Sequence, residues 1–195
     1  MKLILKRNLC LTIGVIIMFN LFGCLGSKFD KYISKDNQIN LSMDYPMGWK
    51  YSETRGSYGS YAQVMFSPFK KGQKSSRAII DVTVRNSSKV QGVSPTLDML
   101  LGDLLVKRMQ FKDAKVLSKT TLRLLNTNAI VVELSYSTLE NLLNVNSKLI
   151  SVREKVIIFK LGNNFYFLRY ENSNEEFDKY NLAFMHMIGT ITLNN

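Results

Sequence analysis

The sequence predicts an α+β fold, in which an antiparallel β-sheet is flanked by helices. Apolar and polar side chains alternate in several segments, which is typical of half-buried strands. The connections between neighbouring segments are short, and short connections favour antiparallel pairing. Two further segments repeat apolar residues at helical spacing, so we expect two amphipathic helices to pack on the sheet.

The first half of the chain supplies four predicted strands. The fourth is the clearest, because Ile80, Val82 and Val84 face one way and the residues between them face the other. Pro46 and Gly48 separate the first two strands, since proline removes a backbone donor and glycine permits a tight bend. In chain order the predicted strands are 39–45, 49–54, 61–67 and 78–85.

A helix is predicted after the fourth strand. Ser94 is expected to cap its free N–H groups, and Pro95 suits its first position. Five leucines recur at helical spacing and give this helix a strongly apolar face. They are Leu97, Leu100, Leu101, Leu104 and Leu105.

The second half predicts more strands and a second helix. Gly162-Asn163-Asn164 is typical of a hairpin, and Ser173 and Glu176 have the spacing of a capping box that opens a helix. Gly189 is expected to end that helix. Its apolar stripe consists of Phe177, Tyr180, Phe184, Met187 and Ile188. The predicted strands are 114–124, 129–138, 149–160 and 165–170, with a last one over 190–193.

The N-terminus predicts export and lipidation. Lys2, Lys6 and Arg7 precede an apolar run over 9–22. A signal peptide needs roughly 7–15 apolar residues and a spanning helix about 20, so the run suits a signal peptide. Leu21-Phe22-Gly23-Cys24 resembles the cleavage site of bacterial lipoproteins, although its second position departs from the usual small or β-branched residue.

These patterns divide the chain into three predicted regions. Residues 1–23 form a lipoprotein signal peptide, 24–36 form a lipidated cysteine and tether, and 37–195 form the folded domain. The tether is expected to include a short helical turn over 29–33. The lipid on Cys24 would hold the domain on the cell membrane, facing outside the cytoplasm. The alternative is that Cys24 simply ends an uncleaved anchor.

The net charge indicates which kind of surface the protein contacts, and the cysteine content indicates whether it needs disulfides. The formal charge falls from +11 to +8 without residues 1–23, which hold three basic residues and no acidic one. For an exported protein this charge favours anionic lipid headgroups or wall polymers over nucleic acid as the surface it contacts. The alternative is that the charge serves solubility alone. After removal of Cys10 and lipidation of Cys24 no thiol is left, so the domain needs no disulfide.

Two motifs resemble those of PsbP-like proteins, which share the Mog1/PsbP fold. Tyr45-Pro46-Met47-Gly48-Trp49 is similar to the family's YPxxW motif. Phe165-Tyr166-Phe167-Leu168-Arg169-Tyr170, followed by Glu175-Glu176-Phe177, resembles its closing hairpin and helix. The resemblance spans about residues 37–194 and, together with Cys24, points to a PsbP-like prokaryotic lipoprotein. It implies an α/β/α sandwich, a non-enzymatic role and a protein partner, but not the photosystem function of plant members.

The sequence lacks a recognisable catalytic set, so we expect no catalytic residue, bound metal or cofactor. His186 is the one histidine and lies nine positions after Phe177. That places it about 180° around a helix from the apolar stripe, where it is expected to be solvated or at a boundary. A metal site needs several ligands and a general base needs a placed partner. The acidic residues Glu175, Glu176 and Asp178 suit a helix start better than a calcium site.

Two features are candidates for binding. Tyr45 and Trp49 are candidates for a ligand groove, with burial as core anchors as the alternative. The segment 68–77 carries four positive charges and no acid, so it is a candidate for contact with an anionic surface. A solvated hairpin tip is the alternative. The basic residues of this segment are Lys70, Lys71, Lys74 and Arg77.

The leading functional hypothesis is a lipid-anchored, non-enzymatic binding or assembly module that contacts a membrane or envelope protein. The alternative is a protein that binds a small ligand, an anionic wall polymer or lipid headgroups. A hydrolase is a third, weaker alternative, since no nucleophile elbow is present. The oligomeric state stays open.

Overall fold

Strands dominate the computed structural model, which describes residues 28–68, 78–87, 95–140 and 146–194. The described residues form ten β-strands and two α-helices, which confirms the predicted α+β class. The strands are β1 Phe29–Ile33, β2 Leu41–Pro46, β3 Trp49–Arg55, β4 Ala62–Pro68, β5 Ile79–Asn86, β6 Lys112–Leu124, β7 Thr127–Leu139, β8 Leu149–Leu161, β9 Asn164–Ser173 and β10 Thr192–Leu193. The helices are α1 Leu97–Arg108 and α2 Phe177–Gly189.

The strands form two antiparallel sheets rather than one. Seven strands form the main sheet in the order β3-β4-β5-β9-β8-β7-β6, and β1-β2-β10 form a small second sheet. The chain passes from β2 to β3 through Met47 and Gly48. Gly48 has a φ of 80°, a left-handed conformation that glycine adopts without strain.

The main sheet lies between two layers. On one face, the α2 face, Phe184 and Met187 of α2 pack in a common core with the small sheet. On the opposite face, the α1 face, Leu104 and Leu105 pack with Leu101, which is 3% exposed. Complete burial of such a side chain stabilises the fold by about 1.5–3 kcal/mol. The arrangement agrees with the predicted sheet flanked by helices.

Alternation along β7 shows how the sequence sets these layers. Ile130, Val132 and Leu134 pack in the core under α1. Ala129 and Val131 pack in the core under α2. Side chains two residues apart share a face of a strand, so one continuous apolar stretch serves both layers.

Both helices begin later than predicted. α1 begins at Leu97, and its N-cap is Thr96, whose Oγ1 accepts a 3.2 Å hydrogen bond from the backbone N–H of Met99. Pro95 therefore precedes the helix, and Ser94 lies outside the described residues. α2 begins at Phe177 without a side-chain cap, so the capping box is wrong.

The reason for the missing capping box is the length of β9. This strand continues through Ser173, whose backbone N–H donates a 2.8 Å hydrogen bond to Asn172 Oδ1. Ser173 is therefore too early in the chain to serve as an N-cap. The predicted helix end is confirmed, because Gly189 is the last residue of α2.

The segment predicted as a tether includes a strand. Residues 29–33 form β1, which pairs with β2, so the predicted helical turn is wrong. Tyr32, the fourth residue of β1, is fully buried. The folded part therefore begins ahead of the predicted boundary at residue 37, while residues 1–27 lie outside the described residues. Among the described helices none is long and apolar enough to cross a bilayer.

Candidate functional site

At one end of the molecule, the first described residue, Lys28, is linked through Met47 and Trp49 to Pro68, the first residue of the predicted basic segment. The carbonyl oxygen of Lys28 accepts a 2.8 Å hydrogen bond from the backbone N–H of Met47. Two residues later in the chain, Trp49 pairs with Pro68. We call this region, formed by Lys28, Met47, Trp49 and Pro68, the Lys28 end.

The predicted lipid and anionic-surface residues flank the Lys28 end in the chain. Cys24 precedes Lys28 by four residues, and the basic segment, residues 68–77, begins at Pro68. Met47, which bonds to Lys28 and precedes Trp49 by two residues, is 58% exposed. Outside the described residues lie Cys24, Lys70, Lys71, Lys74 and Arg77.

The two candidate groove residues differ in exposure. Trp49 is only 8% exposed and meets Tyr180 edge-on, with 5.2 Å between ring centroids. Tyr45 is half-buried and lies 5.4 Å from Phe66 and 5.7 Å from Tyr51. Burial raises the pKa of Tyr45. These contacts resemble those of core aromatics, and neither residue lines the two cavities described below.

Tyr32 completes this aromatic cluster. Its ring meets Phe66 edge-on at 5.3 Å, and its hydroxyl donates a 2.6 Å hydrogen bond to Glu53 Oε1. Burial raises the pKa of Tyr32, and the bond to Glu53 raises it further. Sequence reasoning missed Tyr32 because it assigned its segment to a tether.

His186 lies between α2 and the small sheet. Its ring stacks on Phe29 at 3.9 Å, and its Nε2 lies 3.5 Å from Asp44 Oδ2. The side chain is 39% exposed, so it occupies a boundary position. Within the described ranges, no group of three or more His, Cys, Asp or Glu side chains is placed to hold a metal ion.

A network of paired charges lies on the α1 face of the main sheet. Arg108, the last residue of α1, donates two hydrogen bonds of 2.5 and 2.7 Å to Glu154, which is fully buried. Arg169 donates a 2.6 Å bond to Asp81, which is 2% exposed. Tyr136 joins through a 3.0 Å bond from its hydroxyl to Glu171.

The neighbouring carboxylates favour the charged form of both arginines in this network. Burial lowers the pKa of Arg169, but the carboxylates of Asp81, Glu171 and Glu154 outweigh burial and raise it. The bond to Glu154 raises the pKa of Arg108. A smaller cavity of about 170 Å³ opens over the network between Gln63, Thr83 and Phe167, among others.

A second, larger cavity lies on the α2 face, where β6, β7 and β8 pass the start of α2. It measures about 420 Å³. We call it the serine cleft. Its main polar residues are Asp113, Lys115, Ser135, Ser137, Ser151 and Arg153.

The register of the three strands places these side chains in rows. Lys115 of β6 pairs with Ser135 of β7, which pairs with Arg153 of β8. In the next row Ser137 pairs with Ser151. Small hydroxylated residues on adjacent strands therefore form the floor, and longer cationic side chains lie on either side.

The wall contributed by β6 is irregular. The strand register shifts on both sides of Lys115, which indicates two β-bulges. Asp113 in the first bulge has a φ of 57°, a conformation that non-glycine residues rarely adopt. Its Oδ2 accepts a 2.9 Å hydrogen bond from Ser137 Oγ. Bulges commonly redirect side chains next to binding sites.

Sequence reasoning did not find the serine cleft. A usable signal was present, because Ser135 and Ser137 share one face of β7 while Ile130, Val132 and Leu134 share the other. The bulges in β6 were not visible, since an extra residue leaves no mark on the alternation of a mostly exposed strand.

No protein-family model and no curated protein matches the sequence. Solved structures do match. The solution structure of cyanobacterial PsbP (CyanoP) from Synechocystis sp. PCC 6803 covers 86% of this chain and 93% of its own, with a TM-score of 0.57 and 10% identity. The Ran-binding protein Mog1p of Saccharomyces cerevisiae covers 85% and 95%, with a TM-score of 0.53 and 9% identity. The chain has a PsbP/Mog1-like fold.

A third structure with this PsbP/Mog1-like fold is LpqN, which is involved in cell envelope biogenesis of Mycobacterium tuberculosis. It covers 86% of this chain and 92% of its own, with a TM-score of 0.52 and 12% identity. The predicted family resemblance is thus confirmed at the level of the fold. Likeness at such low identity shows the fold alone, because one fold hosts many functions.

Proposed function

We propose that this protein is a lipid-anchored, non-enzymatic module that binds a protein partner at the outer face of the cell membrane. The observation that carries the proposal is the Lys28 end. There the described chain begins four residues after Cys24, beside the base of the basic segment. A lipid on Cys24 and the cations after Pro68 would then act on the same side of the domain.

The short distance along the chain supports a close approach to the bilayer. Four residues span at most about 14 Å, so a lipid on Cys24 would keep Lys28 near the headgroups. Each basic residue close to an anionic surface adds about 1 kcal/mol of attraction. Residues 69–77 carry Lys70, Lys71, Lys74 and Arg77, and thereby reinforce the anchor.

The roles described for other proteins with this fold support a binding role. Mog1p is described as Ran-binding and LpqN as involved in cell envelope biogenesis. The envelope role of LpqN agrees with an extracytoplasmic position for this chain. A protein partner in the envelope is therefore the function that the fold and the Lys28 end support best.

The lipid anchor is tested by intact-mass measurement of the membrane-extracted protein. We expect loss of residues 1–23 and a mass increment of diacylglycerol size. The Cys24→Ala variant should lose the increment and leave the membrane fraction, because no other cysteine follows residue 24. An increment that survives in Cys24→Ala, or native protein in the cytosol with residues 1–23 intact, contradicts the proposal.

The partner is tested by crosslinking in intact membranes followed by pull-down. We expect one reproducible envelope protein with the native chain and its loss with Cys24→Ala. A result that stays empty across growth conditions contradicts a protein partner.

The basic segment is tested separately by binding to anionic vesicles. Replacing Lys70, Lys71 and Lys74 by Gln should weaken binding, because each cation contributes about 1 kcal/mol near the surface. The matched control replaces Lys119, Arg123 and Lys160, which lie away from the Lys28 end, by Gln. Equal loss in both variants shows only a general charge effect and contradicts a role for the segment.

A further inference from the structure

The serine cleft contains a buried polar atom without a partner. Ser135 is 7% exposed, and its Oγ makes no hydrogen bond within the described part of the chain. A buried hydroxyl normally finds a partner, because leaving one unsatisfied is unfavourable. Ser135 lines the cavity, so a ligand in the cleft can supply the missing hydrogen bond.

The two cations beside Ser135 are not equivalent. Arg153 is occupied, since it bonds Glu133 Oε1 at 2.5 Å and lies 3.4 Å from Asp178 Oδ1. Lys115 is exposed and forms no ion pair with any other described residue. The cleft therefore offers one cation, next to the unpartnered hydroxyl, that is available to an anionic group.

The other polar groups of the cleft suit hydroxyls rather than a second anion. Asp113 accepts a hydrogen bond from Ser137 and keeps further acceptor capacity on its carboxylate. Ser151, exposed on the neighbouring strand, can donate or accept. A ligand with several hydroxyl groups satisfies this mixture, whereas a second acidic group would be repelled by Asp113.

The dimensions of the cleft agree with a small organic ligand. Its volume of about 420 Å³ lies within the roughly 300–1,000 Å³ of small-molecule sites. Leu117, 43% exposed, adds an apolar patch to the wall against which the carbon face of a sugar ring can pack.

We propose that the serine cleft binds a small hydroxylated anion of the sugar-acid or sugar-phosphate class. Lys115 pairs with the acidic group, Ser135 donates to it, and Asp113 accepts from ligand hydroxyls. This site is independent of the lipid anchor and of the protein partner, so it stands or falls separately from the proposed function.

The site is tested by NMR titration of the isotope-labelled full chain in detergent micelles. The probes are glucuronate, glucose 6-phosphate, glucose and inorganic phosphate, each up to about 10 mM, tenfold above a Kd of about 1 mM. We expect one or both anionic sugars to shift the amides of Lys115, Ser135 and Ser151. The stronger of the two identifies whether the acidic group is a carboxylate or a phosphate.

Two variants test the named contacts. Lys115→Gln and Ser135→Ala should each weaken binding of the preferred sugar by about tenfold, because each removes a hydrogen bond to a charged group. The matched control is Lys119→Gln. Lys119 lies on the same strand as Lys115, and its replacement removes the same charge. However, Lys119 pairs with Asp98 of α1 at 3.6 Å on the opposite face of the sheet. The Lys119→Gln variant should therefore bind the preferred sugar with unchanged affinity.

Three results would overturn the proposal. Binding of glucose as tight as that of both anionic sugars removes the role of Lys115. Binding of inorganic phosphate as tight as that of glucose 6-phosphate removes the role of the hydroxyls. Absence of any shift in the cleft with all four probes removes the site itself.

Discussion

The two faces of β7 and β8 differ in whether their buried polar groups have hydrogen-bond partners. On the α1 face, Glu154 is fully buried and binds Arg108 through two hydrogen bonds. On the α2 face, Ser135 is 7% exposed and lacks a partner within the described structure. Burial alone thus does not distinguish a polar group that stabilises the fold from one that binds a ligand. The two are distinguished by whether the group has a hydrogen-bond partner within the same chain.

The largest loss of stability is expected from breaking the buried ion pair between Arg108 and Glu154 on the α1 face. Glu154→Gln leaves Arg108 without its carboxylate partner and removes a neighbour of Arg169 at 3.6 Å. Loss of one partner from a buried ion pair destabilises a protein by about 3–5 kcal/mol. Urea unfolding of the purified protein measures the change.

The control for that variant is Asp98→Asn. Asp98 forms an exposed pair with Lys119 at 3.6 Å, and such pairs contribute at most about 1 kcal/mol. Similar losses in Glu154→Gln and Asp98→Asn contradict the structural role of the buried network.

An intermediate loss of stability is expected from removing the charge of Glu133, which bonds Arg153 at the border of the serine cleft. Burial raises the pKa of Glu133, but Arg153 and Lys155 outweigh burial and lower it below its ordinary value. A carboxyl with a lowered pKa stabilises the folded state above its unfolded pKa, about 4.3. This stabilisation is lost as the pH falls through the folded pKa.

The variant Glu133→Gln tests this pH dependence. Removing charged hydrogen bonds should cost about 1.5–3 kcal/mol at pH 7. The difference from the native protein should shrink as the pH is lowered to about 3, because below the unfolded pKa of about 4.3 the unfolded chain binds a proton on this carboxyl more readily than the folded chain does. Unfolding curves at both pH values measure it, and a difference that does not change with pH is inconsistent with the pairing.

The smallest change in stability is expected on the α2 face, from replacing Ser135, whose Oγ has no hydrogen-bond partner among the described residues. Ser135→Ala removes a hydroxyl without a partner, so stability should stay level or rise by up to about 1 kcal/mol. Ser42 is the matched control, since it is also 7% exposed but its Oγ lies 2.7 Å from Thr192 Oγ1. Ser42→Ala should lose about 0.5–1.5 kcal/mol. Equal losses in a thermal unfolding experiment would mean that Ser135 has a partner after all.

The layers of the fold were predictable because alternation is a strong local signal. Ile80, Val82 and Val84 identify β5, and all three are buried as their pattern indicates. The same pattern does not reveal what covers the opposite face. Asp81 was placed on that face correctly, but nothing in the sequence shows that it is 2% exposed and bound to Arg169.

Segments with little alternation were predicted less well. Phe29–Ile33 contains two charged residues and only one fully buried side chain, so its pairing with β2 depends on contacts distant in sequence. The start of α2 was shifted because Ser173 and Glu176 satisfy a capping pattern that the long strand β9 overrides. The serine cleft depends on the bulges of β6, which only the register with β7 reveals.

The same bulges have a consequence for self-association. β6 is an outer strand of the main sheet and is thirteen residues long, a length that invites pairing with another copy. Its irregular backbone spoils the ladder that such pairing requires, and its lysines and arginine would bring like charges of two copies together. Crowded copies of the domain would thereby be protected from polymerising edge to edge.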